Sequence, residues 1–396
     1  MPRTSVPERM PRARAPPPLP PSSTPTRLAR CLREGGDAMA LEIRPIRLPE
    51  RADAPDAGEL VAYADLLRRL DVEALGTSEL TRRPREVLHD LRRAEFATYT
   101  GIGAFDGGRL IGLAEVQWEV DDGESTSYVE VIGVHPDRRR EGIGSRLLAA
   151  AEVAARAAGR PNTVLSADHL VERGEPSGPR LRPPQGDGDI PADAPAARFA
   201  IAHGYALGQL YRVSAMDVAG RADEFRRRLA EARSRASDGY RLVAWQERAP
   251  DHLVDSLAIA HERMSTDPPA GAIEWGLEHW NASRIRDGER RSREVGRIGL
   301  AVAAVAADGE VAGFTELSLL PDSRAVEQWD TIVLAPHRGH RLGMRLKLEN
   351  LVRLQATDAS RERVYTWNAD ENEHMLAINL DLGFRPFALE SVWQRP

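Results

Sequence analysis

The chain has 396 residues, a hydrophobic fraction of 42% and a formal net charge of −6 at pH 7. Its length exceeds what one compact core usually holds and suits two domains of roughly 150–200 residues each, and the lack of a basic excess argues against a nucleic-acid partner. The single cysteine, Cys31, excludes an internal disulfide framework and a cysteine-based zinc site, as expected in a reducing cytoplasm.

The N-terminal segment, residues 1–38, is rich in proline and arginine and contains no apolar stretch of the kind that a secretory signal needs. We predict that it forms a disordered tail, or is upstream sequence ahead of a true initiator at Met39. The longest apolar run, residues 298–307, is much shorter than a membrane span and is typical of a buried strand. These features predict a cytoplasmic protein with no membrane partner, either a monomer or a homodimer.

An N-terminal domain is predicted over residues 39–219. Apolar and alternating runs predict strands at 41–46, 97–104, 109–119, 128–134, 163–167 and 209–218, and helical periodicity predicts helices at 59–70, 84–94, 143–158 and 195–203. Gly107-Gly108 is typical of a hairpin turn between the second and third strands, and Asp121-Asp122-Gly123 of a further turn. The polar stretch 172–189 is crowded with glycine, proline and charge and is predicted to be a loop.

A charged helix over residues 220–238 is predicted to link this domain to a C-terminal domain over residues 239–396. The same order of elements then recurs, with strands at 240–245, 327–333 and 363–367, a hairpin at 296–320, a terminal strand, and helices at 251–263, 273–286 and 373–382. Strands outnumber helices in each half and surround a central antiparallel hairpin. The predicted fold class is therefore α+β, not a doubly wound nucleotide fold.

Two stretches half a chain apart are nearly copies, residues 134–144 (the first cradle) and residues 333–343 (the second cradle). Each follows a β-branched run and places a turn rich in arginine and glycine at the N-terminus of a helix. Unpaired N–H groups of a first helical turn, the helix dipole and the planar donor fork of arginine all favour phosphate oxygens. The repeat therefore predicts two domains that bind a phosphorylated ligand.

The first cradle resembles the GCN5-related N-acetyltransferase (GNAT) family, whose hallmark R/Q-x-x-G-x-G/A lies between the fourth strand and the third helix. Arg139, Gly142 and Gly144 match this pattern, and the second cradle keeps both of its ends but has Arg341 at the first glycine. Further along, the family's spacing is kept by Asn372, Met375, Asn379 and Gly383-Phe384, with Asn379 in place of the usual tyrosine, and the first half keeps only Gly204-Tyr205. The resemblance spans both halves and is similar to the tandem actinobacterial type that includes mycothiol synthase.

This resemblance implies two tandem acyl-CoA N-acyltransferase domains, each a mixed, mainly antiparallel sheet flanked by helices. It implies direct transfer of an acetyl group from acetyl-CoA, as cosubstrate, to a primary amine of a small-molecule partner. The alternative is a structural or sensing module that binds acyl-CoA without catalysis in one half or both. The residues expected to bind the coenzyme are Val134, Arg139, Arg140, Gly142, Ile143, Gly144, Val333, Arg338, Gly339, His340, Arg341, Gly343 and Asn372.

Transfer to an amine needs a base, and each half offers a carboxylate on the strand before its cradle. Glu130 shares a face with Tyr128, Ile132 and Val134 by period-2 alternation, so it is expected to point the same way as the residue entering the cradle. Asp330 lies three residues before Val333, hence on the opposite face unless a bulge intervenes, and a bulge is typical of this strand in the family. Glu130 could instead be an edge charge facing water, and Asp330 a hydrogen-bonded structural group.

Other polar residues have a structural and a functional interpretation. His337 and His340 are spaced like metal ligands but lack a nearby third ligand, so we expect no metal and assign them to the phosphate turn. The segment 261–271 is expected to contact the acceptor, the alternative being a loop closed by prolines. An acidic run could attract a cationic amine, although hairpin turns are usually acidic for solubility alone: Glu119, Asp121, Asp122 and Glu124. A second acidic group fits helix capping as well as substrate binding: Asp370, Glu371 and Glu373. We favour the second half for chemistry, because its acceptor-side loop and its helix bearing Asn372 are the parts a substrate would meet.

Overall fold

The computed structural model of the protein describes residues 41–92, 94–120, 125–171, 178–235 and 239–395. The predicted tail, the turn at 121–123 with Glu124, the start of the polar stretch at 172–177 and the end of the predicted linker at 236–238 lie outside these residues. Within the described ranges, no helix is both long enough and apolar enough to cross a membrane.

The elements of the first half agree closely with the prediction. The strands are β1 (Glu42–Pro45), β2 (Ala97–Asp106), β3 (Arg109–Glu119), β4 (Thr126–Val134), β5 (Asn162–Leu170), the short pair β6 (Arg180–Leu181) and β7 (Ile190–Pro191), and β8 (Ala206–Asp217). The helices are α1 (Gly58–Leu75), α2 (Pro84–Leu91), α3 (Ile143–Ala157) and α4 (Pro195–Ala202). Gly107 and Gly108 both have positive φ, as a two-residue hairpin turn requires.

The second half repeats this order. Its strands are β9 (Arg241–Gln246), β10 (Ile298–Val305), β11 (Val311–Leu319), β12 (Ala325–Val333), β13 (Arg363–Ala369) and β14 (Arg385–Gln394). Its helices are α5 (Ala222–Ser234), α6 (Val254–Glu262), α7 (Ala282–Glu294), α8 (Leu342–Thr357) and α9 (Glu373–Leu382). The predicted linker thus contains α5, whose Phe225 and Leu229 are buried in one core with Leu351 of α8.

One predicted helix, over 273–286, is wrong. Helix α7 begins only at Ala282, because the side chain of Asn281 accepts a hydrogen bond from the N–H of Arg284 and caps the helix there. Before it, the N–H of Gly276 donates to the hydroxyl of Tyr128 at 2.9 Å in the other half. The backbone ahead of α7 is therefore satisfied by long-range bonds instead of helical ones.

The two halves share one 12-stranded sheet in the order β1-β2-β3-β4-β5-β14-β8-β13-β12-β11-β10-β9. The last strand of each half lies beside the other half: β14 pairs with β5, and β8 pairs with β13. These two exchanged strands also pair with each other, antiparallel, in the middle of the sheet. The division at residues 219 and 239 stays a prediction, since the sheet itself is continuous across it.

The sheet opens at two equivalent places. Strand β4 pairs in parallel with β5 only as far as Val129 and Leu165, and β12 pairs with β13 only as far as Gln328 and Thr366. Beyond those pairs the described parts of the strands run on without backbone pairing to each other. In both halves the register against the preceding strand also shifts just there, so β4 is bulged at Glu130 and β12 at residues 329–330.

Candidate active site

Both cradles present free backbone N–H groups. In the part of the chain that the structure describes, no acceptor lies on the N–H groups of residues 140–145, of Gly339 or of residues 341–344. Two positions in each turn are left-handed, Arg140 and Gly142 in the first, and Gly339 and Arg341 in the second. Each turn thus has one arginine and one glycine in left-handed conformation, in opposite order, and both helix N-termini suit an anion.

Arg341, the departure from the family motif, does not obstruct the second cradle. It has a φ of 57°, which costs a non-glycine residue roughly 1–2 kcal/mol, and it is exposed to solvent. Among the described residues no group accepts a hydrogen bond from its guanidinium. Its charge is therefore available beside the cradle.

In both halves the arginine that opens the motif binds one backbone carbonyl and one carboxylate. The Nε of Arg139 donates to the carbonyl of Val134 at 3.0 Å, and its terminal nitrogens bind Glu73 at 2.6 and 2.7 Å. The Nε of Arg338 donates to Val333 at 3.1 Å, and its Nη2 binds Asp267 at 2.7 Å. These bonds hold each turn against the end of its strand. Because both guanidinium groups already bind protein groups, a phosphate contact by either arginine stays a prediction.

The two histidines of the second cradle flank Tyr240. The hydroxyl of Tyr240 lies 3.0 Å from Nδ1 of His337, and its ring centroid lies 5.4 Å from that of His340. They are part of the packing around the phosphate turn.

Where β12 and β13 separate, the structure has a cavity of about 440 Å³, the splay groove. Asn372 lines it and caps α9, its side chain accepting from the N–H of Met375 at 3.3 Å. Lys347 of α8, Tyr211 of β8 and the bulge residues Trp329 and Asp330 also line it. The groove is therefore lined in part by α8, the helix that begins at the second cradle.

A second cavity, the junction cavity, has a volume of about 670 Å³ and lies between the two halves. Its lining combines aromatic rings with carboxylates: Tyr99, Trp118, Tyr128, Trp245, Trp275, Trp280, Glu119, Glu130, Glu278, Glu289 and Glu316. The two cavities have five lining residues in common, Tyr211, Met264, Pro268, Trp329 and Asp330. They therefore meet at the bulge of β12.

A histidine and two carboxylates lie at that meeting point. Nδ1 of His261 is 3.2 Å from Oδ2 of Asp330, and its Nε2 is 3.8 Å from Oε1 of Glu316. Burial acts to lower the pKa of His261, but the two carboxylates outweigh it and the pKa is raised. Burial raises the pKa of Glu316 to about 7 against the opposing charge of His261. The ring of His261 stacks on Trp280 with centroids 4.3 Å apart, which fixes its orientation.

This cluster can move a proton at the junction of the two cavities. Its three donor atoms lie within 4.8 Å of one another, a spacing that also suits a divalent cation. The segment 261–271 predicted to contact the acceptor supplies His261, Met264 and Pro268, all of which line the junction cavity.

Both predicted catalytic carboxylates line the junction cavity, but the facing of Glu130 differs from the expectation. The bulge places Glu130 and Tyr128 on the cavity, whereas Ile132 and Val134 pack on the other side with α3, so the predicted common face is wrong. The Nε2 of Gln117 donates to Glu130, which is exposed. Asp330 does lie opposite Val333, and its face is the one that carries His261.

In the first half, the carboxylate equivalent to Glu316 is buried in an ion pair. Gly112 pairs with Val134, and Gly313 pairs with Val333. Glu115 and Glu316 each lie three residues after that glycine, so they are equivalent. Glu115 is 1% exposed and forms an ion pair with Arg82 at 2.9 Å. The same carboxylate is thus a structural partner in one half and part of a titratable cluster in the other.

Sequence reasoning missed Glu316 and Lys347 and included His261 only as the start of a segment. A signal for Glu316 exists, since a charge in the middle of an otherwise buried hairpin strand needs a partner or a task. Lys347 likewise interrupts the apolar stripe of α8. Asp370 proves structural, because it accepts from the N–H groups of Asp187 and Gly188 at 2.7 and 2.6 Å and pairs with Arg212.

Comparison with known proteins agrees with this geometry. Residues 57–172 match the model of the acetyltransferase (GNAT) family. The structure is similar to a tandem GNAT protein from the clavulanic acid biosynthesis pathway, with 26% identity and a TM-score of 0.67 over 90% of this chain and 98% of that one. No protein of curated function matches the sequence.

Two more distant likenesses concern the fold alone. A GCN5-related N-acetyltransferase from Sphaerobacter thermophilus is 16% identical with a TM-score of 0.52, over 88% of this chain and 98% of that one. N-myristoyltransferase from Saccharomyces cerevisiae, with bound myristoyl-CoA, is 11% identical with a TM-score of 0.51, over 96% and 85%.

The first half therefore contains a GNAT acetyltransferase domain, within residues 57–172. The structure as a whole is similar to a tandem GNAT protein. The predicted α+β class, the family and the assignment as an enzyme are confirmed. The narrower resemblance to mycothiol synthase stays a prediction.

Proposed function

We propose that the protein transfers the acetyl group of acetyl-CoA directly to a primary amine of a small molecule, and that the second half performs the chemistry. The observation that carries this proposal is the meeting of the splay groove and the junction cavity at Trp329 and Asp330. A thioester in the groove and an amine in the cavity would approach each other at that point. Direct transfer needs this proximity and no covalent enzyme intermediate.

The second cradle and the splay groove suit the two parts of the coenzyme. The free N–H groups of Gly339 and of residues 341–344 around the start of α8 can bind the pyrophosphate, with the exposed charge of Arg341 beside them. The unpaired edges of β12 and β13 beyond Gln328 and Thr366 can bond to the pantetheine amides as an added strand would. Acetyl-CoA is accordingly proposed as cosubstrate.

Asp330 is proposed to take the proton from the attacking amine, directly or through a water molecule. It lines both cavities, and His261 holds its carboxylate in place. Glu316, on the far side of the same imidazole, also acts to raise the pKa of His261. An ammonium substrate is thereby converted to the nucleophilic amine where the thioester lies.

The acceptor is proposed to be cationic and to carry an apolar or planar part. The lining of the junction cavity contains more carboxylates than arginines. One of these arginines, Arg284, is already paired with Glu119 and Glu278 at 3.0 and 3.2 Å. Aromatic faces attract ammonium groups and pack against planar or sugar rings. The first half is proposed to supply one wall, through Tyr128 and Glu130, without performing transfer itself, because its Glu115 is committed to Arg82.

The test is thiol release from acetyl-CoA in the presence of a diamine, an amino sugar, an arylalkylamine and an amino acid. We expect amine-dependent release, fastest with acceptors of net positive charge, and unaffected by a metal chelator. Tight binding of acetyl-CoA with no release above background would support the alternative of a binding module. Chelator-sensitive release would show that the three-residue cluster holds a cation.

Location and assembly follow from the same proposal. We propose a cytoplasmic enzyme, where acetyl-CoA is supplied, acting as a monomer or a homodimer. Because one chain provides both walls of the junction cavity, the site needs no residue from a second copy. Light scattering coupled to size-exclusion chromatography distinguishes the two assemblies, and activity proportional to enzyme concentration is expected in either.

A further inference from the structure

The sulfur of the coenzyme must leave either as a thiolate anion or as a protonated thiol. The splay groove contains few groups that could supply the proton. Its titratable lining residues are Tyr211, Glu327, Asp330 and Lys347. Burial holds the pKa of Tyr211 well above its usual value, which makes it a weak acid. Glu327 accepts from Arg297 and Trp329, and Asp330 faces His261, so both act as acceptors. Lys347 is left as the proton donor.

Lys347 is an unusual residue for its place in the fold. It is 1% exposed, and among the described residues it has no hydrogen bond or ion pair; its Nζ lies 5.9 Å from the ring centroid of Phe384. An unpaired buried ammonium is costly. Burial lowers the pKa of Lys347 to about 7, close enough to the pKa of about 8.5 of a thiol for transfer between them.

The first half shows that the fold itself does not require lysine there. Four residues after the last glycine of each motif, the first half has Leu148 and the second has Lys347, and both are 1% exposed. An apolar side chain therefore satisfies this position in α3. The lysine occurs in the half whose splay groove it lines and whose bulged strand places Asp330 beside His261.

We propose that the ammonium of Lys347 donates a proton to the sulfur of the departing coenzyme. This inference rests on the proposed function. Asp330 first passes the proton of the ammonium substrate to solvent. The neutral amine nitrogen then forms a bond to the thioester carbon and loses a second proton to Asp330, the carbon–sulfur bond breaks with its electron pair going to sulfur, and Nζ transfers a proton to that sulfur. Neutral Lys347 then regains a proton after the thiol leaves, and the amide is released.

The first experiment needs no acceptor. The ionisation of the thiol of bound coenzyme A is followed by the ultraviolet absorbance of the thiolate, in the wild type, in K347M and in the control L148M. An ammonium beside sulfur favours the thiolate, so we expect the ionisation constant of the bound thiol to fall about tenfold or more in K347M and to be unchanged in L148M. Equal ionisation in K347M and the wild type would overturn the proposal.

The second experiment separates a catalytic from a binding role. With the best amine of the panel, K347M and K347L should lose about 10²–10⁴-fold in kcat while the Kd for acetyl-CoA stays close to that of the wild type. Loss of coenzyme binding in parallel with kcat, or unchanged kcat, would contradict the role. K347L serves as the folding safeguard because it copies Leu148. Failure of the wild type to bind coenzyme A would instead contradict the proposed function.

Discussion

At the scale of single residues, one carboxylate has two different fates. Glu115 and Glu316 lie at equivalent points of the two central hairpins, yet Arg82 neutralises the first and His261 faces the second. A fixed ion pair removes the capacity to exchange protons, whereas a carboxylate opposite an imidazole keeps it. The neighbours, not the residue type, therefore decide which half is proposed to be catalytic.

The two sequence-predicted candidates can be separated by substitution. D330N should reduce kcat about 10²–10⁴-fold, because it removes the proposed proton acceptor. E130Q should mainly raise KM for a cationic amine, because Glu130 lines the cavity away from the groove. Steady-state kinetics for both variants measure this, and a larger kcat loss in E130Q would assign the chemistry to the first half.

The pH dependence should report the cluster around His261. Because burial raises the pKa of Glu316 to about 7, its carboxylate form, and with it the full basic character of the cluster, develops as the pH rises through about 7. We expect a bell-shaped profile of kcat/KM, with a rising step as Glu316 ionises and a falling limb as Lys347 loses its proton, and we expect E316Q to flatten the rising step. An unchanged profile in E316Q would show that the step belongs to another group.

The same group should influence stability with a defined sign. Since the folded pKa of Glu316 is raised, its stabilising contribution is present below the unfolded pKa and is lost as the pH rises through about 7. Relative to the wild type, E316Q should therefore gain about 2 kcal/mol between pH 5 and pH 8. Denaturant unfolding at the two pH values measures the difference, and an equal effect at both would contradict it.

At the scale of elements, helices α3 and α8 begin alike and then serve different surroundings. Both start at a cradle, and the glycine at the second helical residue faces a neighbouring helix in each case. An added Cβ would meet Phe199 at 3.2 Å in the first half and Ile378 at 3.2 Å in the second. The two positions, Gly144 and Gly343, are therefore a matched pair for asking which half binds the coenzyme.

We expect G343V to weaken acetyl-CoA binding at least tenfold and G144V to leave it unchanged. The substitution at Gly343 pushes against α9, which carries Asn372 at the splay groove, while that at Gly144 pushes against α4. Titration calorimetry gives affinity and stoichiometry together, with one coenzyme per chain expected. Weaker binding in G144V alone would assign the working cradle to the first half.

The position of Lys347 in α8 predicts a conflict between stability and activity. Its folded pKa is lowered from 10.5 to about 7, so its stabilising contribution is lost as the pH falls through about 7. K347L should therefore raise the free energy of unfolding by roughly 2–4 kcal/mol at pH 6 and by less at pH 9.5. Thermal unfolding of K347L beside L148M measures this, and a destabilised K347L would show that the ammonium has a structural partner.

At the scale of the whole molecule, the exchanged strands make the halves dependent on each other. Strand β14 completes the first half beside β5, and β8 completes the second beside β13. A half expressed alone would expose long unpaired strand edges in the middle of its sheet, which promotes aggregation. The junction cavity likewise needs walls from both halves.

Calorimetry should accordingly give a single unfolding transition for the full chain. Residues 41–235 or 239–395 expressed alone should be insoluble or unfolded, and expressing them together should restore acetyl-CoA binding if the strands can exchange between fragments. Two separate transitions, or a stable isolated half, would show that the halves are independent domains despite the shared sheet.

Much of the secondary structure is local enough to be predicted. The hairpin at Gly107-Gly108, the two cradles and helix α9 depend on turn chemistry and periodicity within short segments, and each lies where expected. The helix predicted over 273–286 failed because the N–H groups of Glu274 and Gly276 donate to Gln394 and Tyr128, which are far away in sequence. The predicted face of Glu130 was wrong because one extra residue at the bulge reverses the alternation of side chains along β4.

The sequence by itself determined the repeat, the α+β class, the family and the two anion cradles, because these depend on patterns of neighbouring residues. Only the tertiary structure decided that the final strands are exchanged, that Asp330 meets His261 and Glu316, and that Lys347 opens onto the splay groove. These features join residues separated by tens to hundreds of positions, and their chemistry depends on burial and on the partner that folding brings to each one. The difference between two nearly identical cradles is therefore set by what packs around them.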